Sequence, residues 1–238
     1  MNITQNLITV NFTKRTNKVN EWIVIHYFGG LGTAASVAAY FNRSGVKASA
    51  HYEVDDTSIV QAVLDSNTAW HCGDSGKGTY KGKCCNANSI GIEVRPYKLD
   101  ASRASFATDK EWYFHAETIA KLTELVRLLM AKYSIDADHV IRHYDVTAKW
   151  CPRPWMGDDV NTYYGKTGNV LWAEFKAGLT AESEDEEMAV TYATISEMPT
   201  WAQATMQKLS DKGLLTSFGF TEEALRIFVI NDRAGLYK

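Results

Sequence analysis

Runs and alternations of apolar residues divide the chain into elements. Trp22-Ile23-Val24-Ile25 is an unbroken apolar run that predicts a buried strand, with His26 at its end and Gly29-Gly30 beyond. Tyr52 and Val54 alternate with polar neighbours, and residues 59–63 return after a turn at 55–58, which predicts a hairpin starting beside His51. Ile90, Ile92 and Val94 alternate with Gly91 and Glu93 as a further strand, and Val140-Ile141 is a short one leading into His143. Helical spacing appears at residues 36–43, with Ser36 as N-cap and Ser44-Gly45 as the stop. A capping box, Thr108-Asp109-Lys110-Glu111, precedes Trp112, Ile119, Leu122, Val126, Leu129, Met130 and Tyr133, which predicts a long amphipathic helix packed on the sheet with His115 as scaffold on it. Residues 170–179 read as a closing helix. Residues 1–20 read as an extended lead-in or edge strand, and residues 69–88 as a long Gly-rich polar loop.

The acidic run Glu182-Ser183-Glu184-Asp185-Glu186-Glu187 is the best candidate linker. It divides the chain into a main domain (1–180), a linker (181–191) and a small mainly helical C-terminal module (192–238). In that module Pro199-Thr200-Trp201 opens one helix, which Gly213 ends, and Thr221-Glu222-Glu223 opens a second. So small a piece needs something to bind, whether a cell-wall ligand, the main domain or a second copy.

Composition narrows the function. The chain has 238 residues, 45% hydrophobic, which suits a globular protein and not a disordered one. A formal charge of -3 gives no basic field for nucleic acid or an anionic membrane. No apolar run approaches the ~20 residues of a membrane-spanning helix. The N-terminal residues lack the pattern of a signal peptide, so synthesis and retention in the cytoplasm are expected until something releases the protein.

The chemistry concentrates in Arg142-His143-Tyr144-Asp145-Val146-Thr147-Ala148-Lys149-Trp150-Cys151-Pro152. Imidazole and thiolate together suit zinc, and the spacing is too long for one helix face, so a loop must fold Cys151 back towards His143. His26 is the best third ligand, with an open fourth position for water as in catalytic sites. Glu93 lies inside an apolar run, where a carboxylate must face a cavity, a cation or a metal-bound water. Cys151 as nucleophile with His143 as base is a competing arrangement. Cys72, Cys84 and Cys85 read as reduced thiols, and Gly29-Gly30-Leu31-Gly32 as a mobile turn rather than a phosphate loop.

Taken together, His26, the segments Ser49-Ala50-His51-Tyr52 and Ser89-Ile90-Gly91-Ile92-Glu93, and the run from His143 through Lys149 to Cys151-Pro152 resemble the zinc-dependent N-acetylmuramoyl-L-alanine amidases of type 2, which share their fold with peptidoglycan recognition proteins. The resemblance covers roughly residues 20–180. It implies an α/β fold with a mixed central sheet flanked by helices, and a Zn2+ held by His26, His143 and Cys151. It also implies hydrolysis of the amide between N-acetylmuramic acid and L-alanine in peptidoglycan. Some members use a tyrosine before the histidine of the second strand; here that position is Ala50, so the version with a glutamate at Glu93 is the one that fits. Glu93 is then the general acid–base and Lys149 stabilises the oxyanion, with His51, Trp70, His71 and Arg95 as candidate substrate or orienting residues. Non-catalytic recognition members have usually lost the cysteine, so its presence argues for activity over binding alone. The expected setting is a phage endolysin released by a holin. The C-terminal module is expected to attach to the wall or to form a homodimer.

Overall fold

The computed structural model of the chain describes residues 2–15, 17–73, 76–101, 109, 111–181, 191–215 and 220–237. It falls into two compact units, Met1–Thr180 and Ala181–Lys238. The first holds, in chain order, β1 (Ile3–Gln5), β2 (Phe12–Thr13), β3 (Trp22–Tyr27), α1 (Ala34–Phe41), β4 (Tyr52–Val54), β5 (Ile59–Gln61), β6 (Thr68–Ala69), β7 (Ser89–Val94), β8 (Tyr97–Lys98), β9 (Trp112–Tyr113), α2 (Ala116–Tyr133), β10 (Val140–Arg142), α3 (His143–Thr147) and α4 (Gly168–Thr180).

The main sheet has the order β1-β5-β4-β7-β3-β10. Every neighbouring pair is parallel except the β4–β5 hairpin. This is the mixed sheet flanked by helices that the resemblance implies. Its central strands are covered on both faces, which is why Trp22 to Ile25 reads as a continuous apolar run. On one face Ile23, Ile25, Ile90, Ile92, Tyr52 and Val54 pack with Leu122, Leu125, Val126 and Leu129 of α2 and with Phe175 of α4. On the other, Trp22 and Val24 pack with Ile141 and Val146, while α1 lays Ala34, Ala38 and Phe41 near Val60. Side chains alternate between faces along a strand, so His26, Glu93 and Glu53 fall on this second face.

Three helix starts differ from the sequence reading, α4 beginning at Gly168 rather than at residue 170. Helix α1 is capped three residues earlier: Thr33, not Ser36, is the N-cap, accepting from the Ser36 amide at 3.2 Å, and Asp55 Oδ2 accepts from the Ala34 amide at 2.8 Å. A contact from the hairpin turn, invisible in local sequence, sets that start. Trp112 lies in β9, which pairs antiparallel with β8; α2 begins only at Ala116, with His115 at its N-cap position. Trp112 is buried all the same, because it packs edge-on against Tyr27. Thr108 and Lys110 of the expected capping box, and the acidic run 182–187, lie outside the described residues.

The second unit contains β11 (Thr191–Tyr192), α5 (Thr200–Asp211), β12 (Phe220–Thr221) and α6 (Glu222–Arg233), with β11 and β12 paired antiparallel. Its two helices stand where their apolar spacing places them; the strand pair was not anticipated. Met198, Ala202, Met206, Leu209, Leu225 and Val229 form a small core of its own. No helix among the described residues is long and apolar enough to cross a membrane.

Asp65 ties the sheet to α2. Its carboxylate accepts hydrogen bonds from Tyr52 Oη (2.7 Å), Gln61 Nε2 (3.1 Å), Lys132 Nζ (2.8 Å) and Tyr133 Oη (2.6 Å). Burial works to raise this carboxyl's pKa, but the bonds from Lys132, Tyr133 and Tyr52 outweigh it and hold the group below its usual value. Asp65→Ala strands two tyrosine hydroxyls, and we expect a loss of about 2 kcal/mol in urea unfolding at pH 7. The folded pKa is depressed, so this contribution is complete above the unfolded carboxyl value near ~4 and is lost as pH falls through the lower folded value. The gap between wild type and variant should therefore close in acid.

Candidate active site

The site begins with strand register. Ile25 of β3 faces Arg142 of β10, His26 faces Glu93 of β7, and Glu53 of β4 faces the same Glu93. His143 follows Arg142 as the first residue of α3, and its ring lies 4.5 Å from that of His26, centroid to centroid. One row across the sheet therefore carries His143, His26, Glu93 and Glu53, with neighbouring strands ~4.8 Å apart.

Cys151 reaches this row by the loop the spacing requires. Ala148, at φ 63°, ends α3 in the left-handed region and turns the chain. The Tyr144 amide then donates to the Cys151 carbonyl at 2.9 Å, which anchors the returning segment on α3. Cys151 Sγ comes to 3.9 Å from His26 Nδ1, and the candidate ligand atoms of His26, His143 and Cys151 all lie within 4.8 Å of one another. Donors around one tetrahedral zinc ion stand roughly 3.3–3.7 Å apart, given bond lengths of about 2.0–2.3 Å. Small side-chain rotations would close the cluster on such an ion.

The electrostatics suit a cation. All three residues are buried, and His143 Nδ1 has no hydrogen-bond partner. Burial, reinforced by the neighbouring His143, drives the His26 pKa well below the usual histidine value. Burial and the Lys149 charge lower that of His143 to about 3. Both imidazoles are therefore neutral and present lone pairs. Burial, with the Glu93 charge adding to it, raises the Cys151 thiol. A buried thiol gives up its proton when a cation replaces it.

A cleft of about 350 Å³ opens over the cluster, lined by His26, Glu93, Lys149 and Cys151 together with Trp70, His71 and the α1 residues Val37, Tyr40 and Phe41. Burial pushes the Glu93 carboxyl up to about 8, against the pull of Lys149, and Glu93 Oε2 has no hydrogen-bond partner. Such a carboxyl is poised to exchange a proton near neutral pH.

Glu53 is the residue the sequence reading passed over. It is fully buried, neither oxygen is hydrogen-bonded, and burial together with the Glu93 charge pushes its pKa well up. Like Glu93 it is an acid between two apolar strand positions, but alternation of Tyr52 and Val54 with polar neighbours is equally the pattern of a strand with one solvent-facing side.

The remaining candidates separate. Trp70 and His71 line the cleft, and His71 Nδ1 also lies 3.1 Å from His26 Nε2. His51 does not line it. Fully buried, it accepts from the Gly91 amide through Nδ1 at 3.0 Å and sets Nε2 3.0 Å from Lys18 Nζ. Burial lowers that lysine to about 7. Arg95 also stands outside the lining; it pairs with Asp56 at 3.3 Å and lies over the Tyr97 ring. Cys72 and Cys84 are free thiols in the apolar cluster with Trp22 and Val24, and among the described residues no metal-binding group includes them or Cys85.

Comparison with known proteins adds an independent line. Residues 15–154 match the family described as N-acetylmuramoyl-L-alanine amidase. The chain is 29% identical over 180 residues to the N-acetylmuramoyl-L-alanine amidase CwlL of Bacillus licheniformis, covering 71% of this chain and 47% of that protein. It is 28% identical over 205 residues to XlyA of Bacillus subtilis, covering 83% of this chain and 62% of that one. The catalytic domain of XlyA superposes with a TM-score of 0.54 over 75% of this chain and 99% of that domain, and a mutant endolysin from Bacillus subtilis with a TM-score of 0.52 at 28% identity. The chain spans about half the length of the curated relatives it matches. The matched segment contains the whole row and the returning cysteine, and on that match the chain belongs to the N-acetylmuramoyl-L-alanine amidase family.

Proposed function

We propose that this chain is a zinc-dependent peptidoglycan hydrolase that cleaves the amide between the lactyl group of N-acetylmuramic acid and L-alanine of the stem peptide. The observation that carries the reading is the convergence of His26, His143 and Cys151, two of which line one cleft with Glu93. Zinc, when bound, supplies Lewis acidity that makes an attacking water acidic near neutral pH. Glu93 accepts the proton from that water and delivers it to the leaving nitrogen. Lys149, on the cleft wall, offers its ammonium group to the oxyanion that develops on the scissile carbonyl. Cys151 fits a ligand better than a nucleophile, because burial raises its thiol and disfavours the thiolate in the absence of a cation.

The test is mass spectrometry of digested cell wall. New L-alanine amino termini and intact N-acetylmuramic acid lactyl groups are expected, with digestion stopped by a chelator and restored by zinc. Cleavage of a glycosidic or peptide–peptide bond instead overturns the reading. Glu93→Gln should leave zinc content unchanged and reduce turnover by about 10²–10⁴, the usual share of general acid–base catalysis.

The likeness to a Bacillus subtilis endolysin supports an endolysin setting, and we propose synthesis in a host cytoplasm with holin-dependent release as part of it. The second unit then serves wall attachment. Trp201, with the Arg226 guanidinium 5.5 Å from its ring, and the exposed Ile227 and Ile230 offer an apolar and cationic surface. The full chain should sediment with purified walls and residues 1–180 should not, while light scattering reports monomers for both. A full-length dimer beside a monomeric 1–180 would assign the unit to self-association instead.

A further inference from the structure

His71 was expected at the substrate, yet its ring is built into the protein. Its backbone amide and those of Cys72 and Gly73 all donate to Asn86 Oδ1, at 3.0, 2.8 and 2.9 Å. The ring lies flat over β7 in a slot that exists only because residue 91 is glycine: a Cβ there would meet His71 Cγ at 2.5 Å and Nδ1 at 2.7 Å. The imidazole is thus clamped, with one nitrogen towards His26 and the other towards Ser89.

The direction of each hydrogen bond in this chain follows from its far end. The buried Ser89 hydroxyl donates its single proton to the Cys85 carbonyl at 2.5 Å. Ser89 Oγ is then an acceptor for His71 Nε2, 3.1 Å away. With the Nε2 proton directed at Ser89, the Nδ1 lone pair of His71 faces His26 Nε2 at 3.1 Å. His26 must therefore carry its own proton on Nε2. What remains is the Nδ1 lone pair of His26, and that atom faces Cys151 Sγ.

We propose that His71, backed by Ser89, is a positioning residue that locks the tautomer and ring angle of His26 so that Nδ1 is presented to the metal. This rests on the reading of His26, His143 and Cys151 as zinc ligands. Groups that hold the second nitrogen of a ligand histidine typically contribute about 10–100-fold in metal affinity. The glycine at 91 and the asparagine at 86 acquire a role in the same device: one makes room for the ring and the other holds its backbone.

The experiment measures zinc affinity of the full chain by competition with a chromophoric chelator, alongside nitrogen NMR of histidine-labelled, metal-free protein. His71→Phe keeps a flat ring over Gly91 and removes the acceptor; it should weaken zinc binding by about 10–100-fold. His71→Asn returns an acceptor near the position of Nδ1 and should recover most of that loss. Ser89→Ala frees His71 to change tautomer and should fall between the two. Metal-free thermal melts of each variant separate this effect from unfolding. In the wild type, the spectrum should show His26 protonated on Nε2. Wild-type affinity in a folded His71→Phe, or a His26 protonated on Nδ1, overturns the proposal. Should the wild type bind no zinc, the metal reading falls, and the tautomer of His26 alone then decides whether the chain of bonds runs as inferred.

Discussion

Parallel pairing at a single register across β4, β7, β3 and β10 is the constraint on which the rest depends. It fixes Glu53, Glu93 and His26 as cross-strand neighbours and sets His143 down one step beyond the last β10 pair. A slip of β7 by one residue would move Glu93 to the α2 side and bring Ile92 into the row. The same slip would expel Ile90 and Ile92 from the core beneath α2, where both are completely buried. Apolar packing on one face of the sheet thereby holds the chemistry on the other face in place. Asp65 reinforces it from the edge by bonding β4, β5 and α2 through one carboxylate.

Much of this was legible in the sequence because buried parallel strands announce themselves as apolar runs. His26 and His143 stood at the ends of two such runs, and Glu93 was an acid where none belongs without a reason. The loop that returns Cys151 could be inferred from spacing alone. What sequence does not display is which strand lies beside which. Glu53 has the same local pattern as Glu93, and only the β4–β7 register makes it a partner rather than a surface acid. His51 and His71 looked alike as candidates beside strands. The structure buries one among Lys18 and the Gly91 amide and turns the other towards His26. Periodicity likewise carried Trp112 into the long helix, since a buried tryptophan one turn upstream satisfies a helical pattern as well as it does β9.

The two glutamates set the charge state of the whole row. Two carboxylates facing each other in a dry interior cannot both be ionised without a compensating cation. Glu53 lies deeper and meets no hydrogen-bond donor, whereas Glu93 borders the cleft and feels Lys149. Of the pair, Glu93 is therefore the easier to ionise, and burial holds Glu53 towards its neutral form. Burial of Glu53 away from the cleft thereby leaves Glu93 as the carboxyl of the pair that borders it.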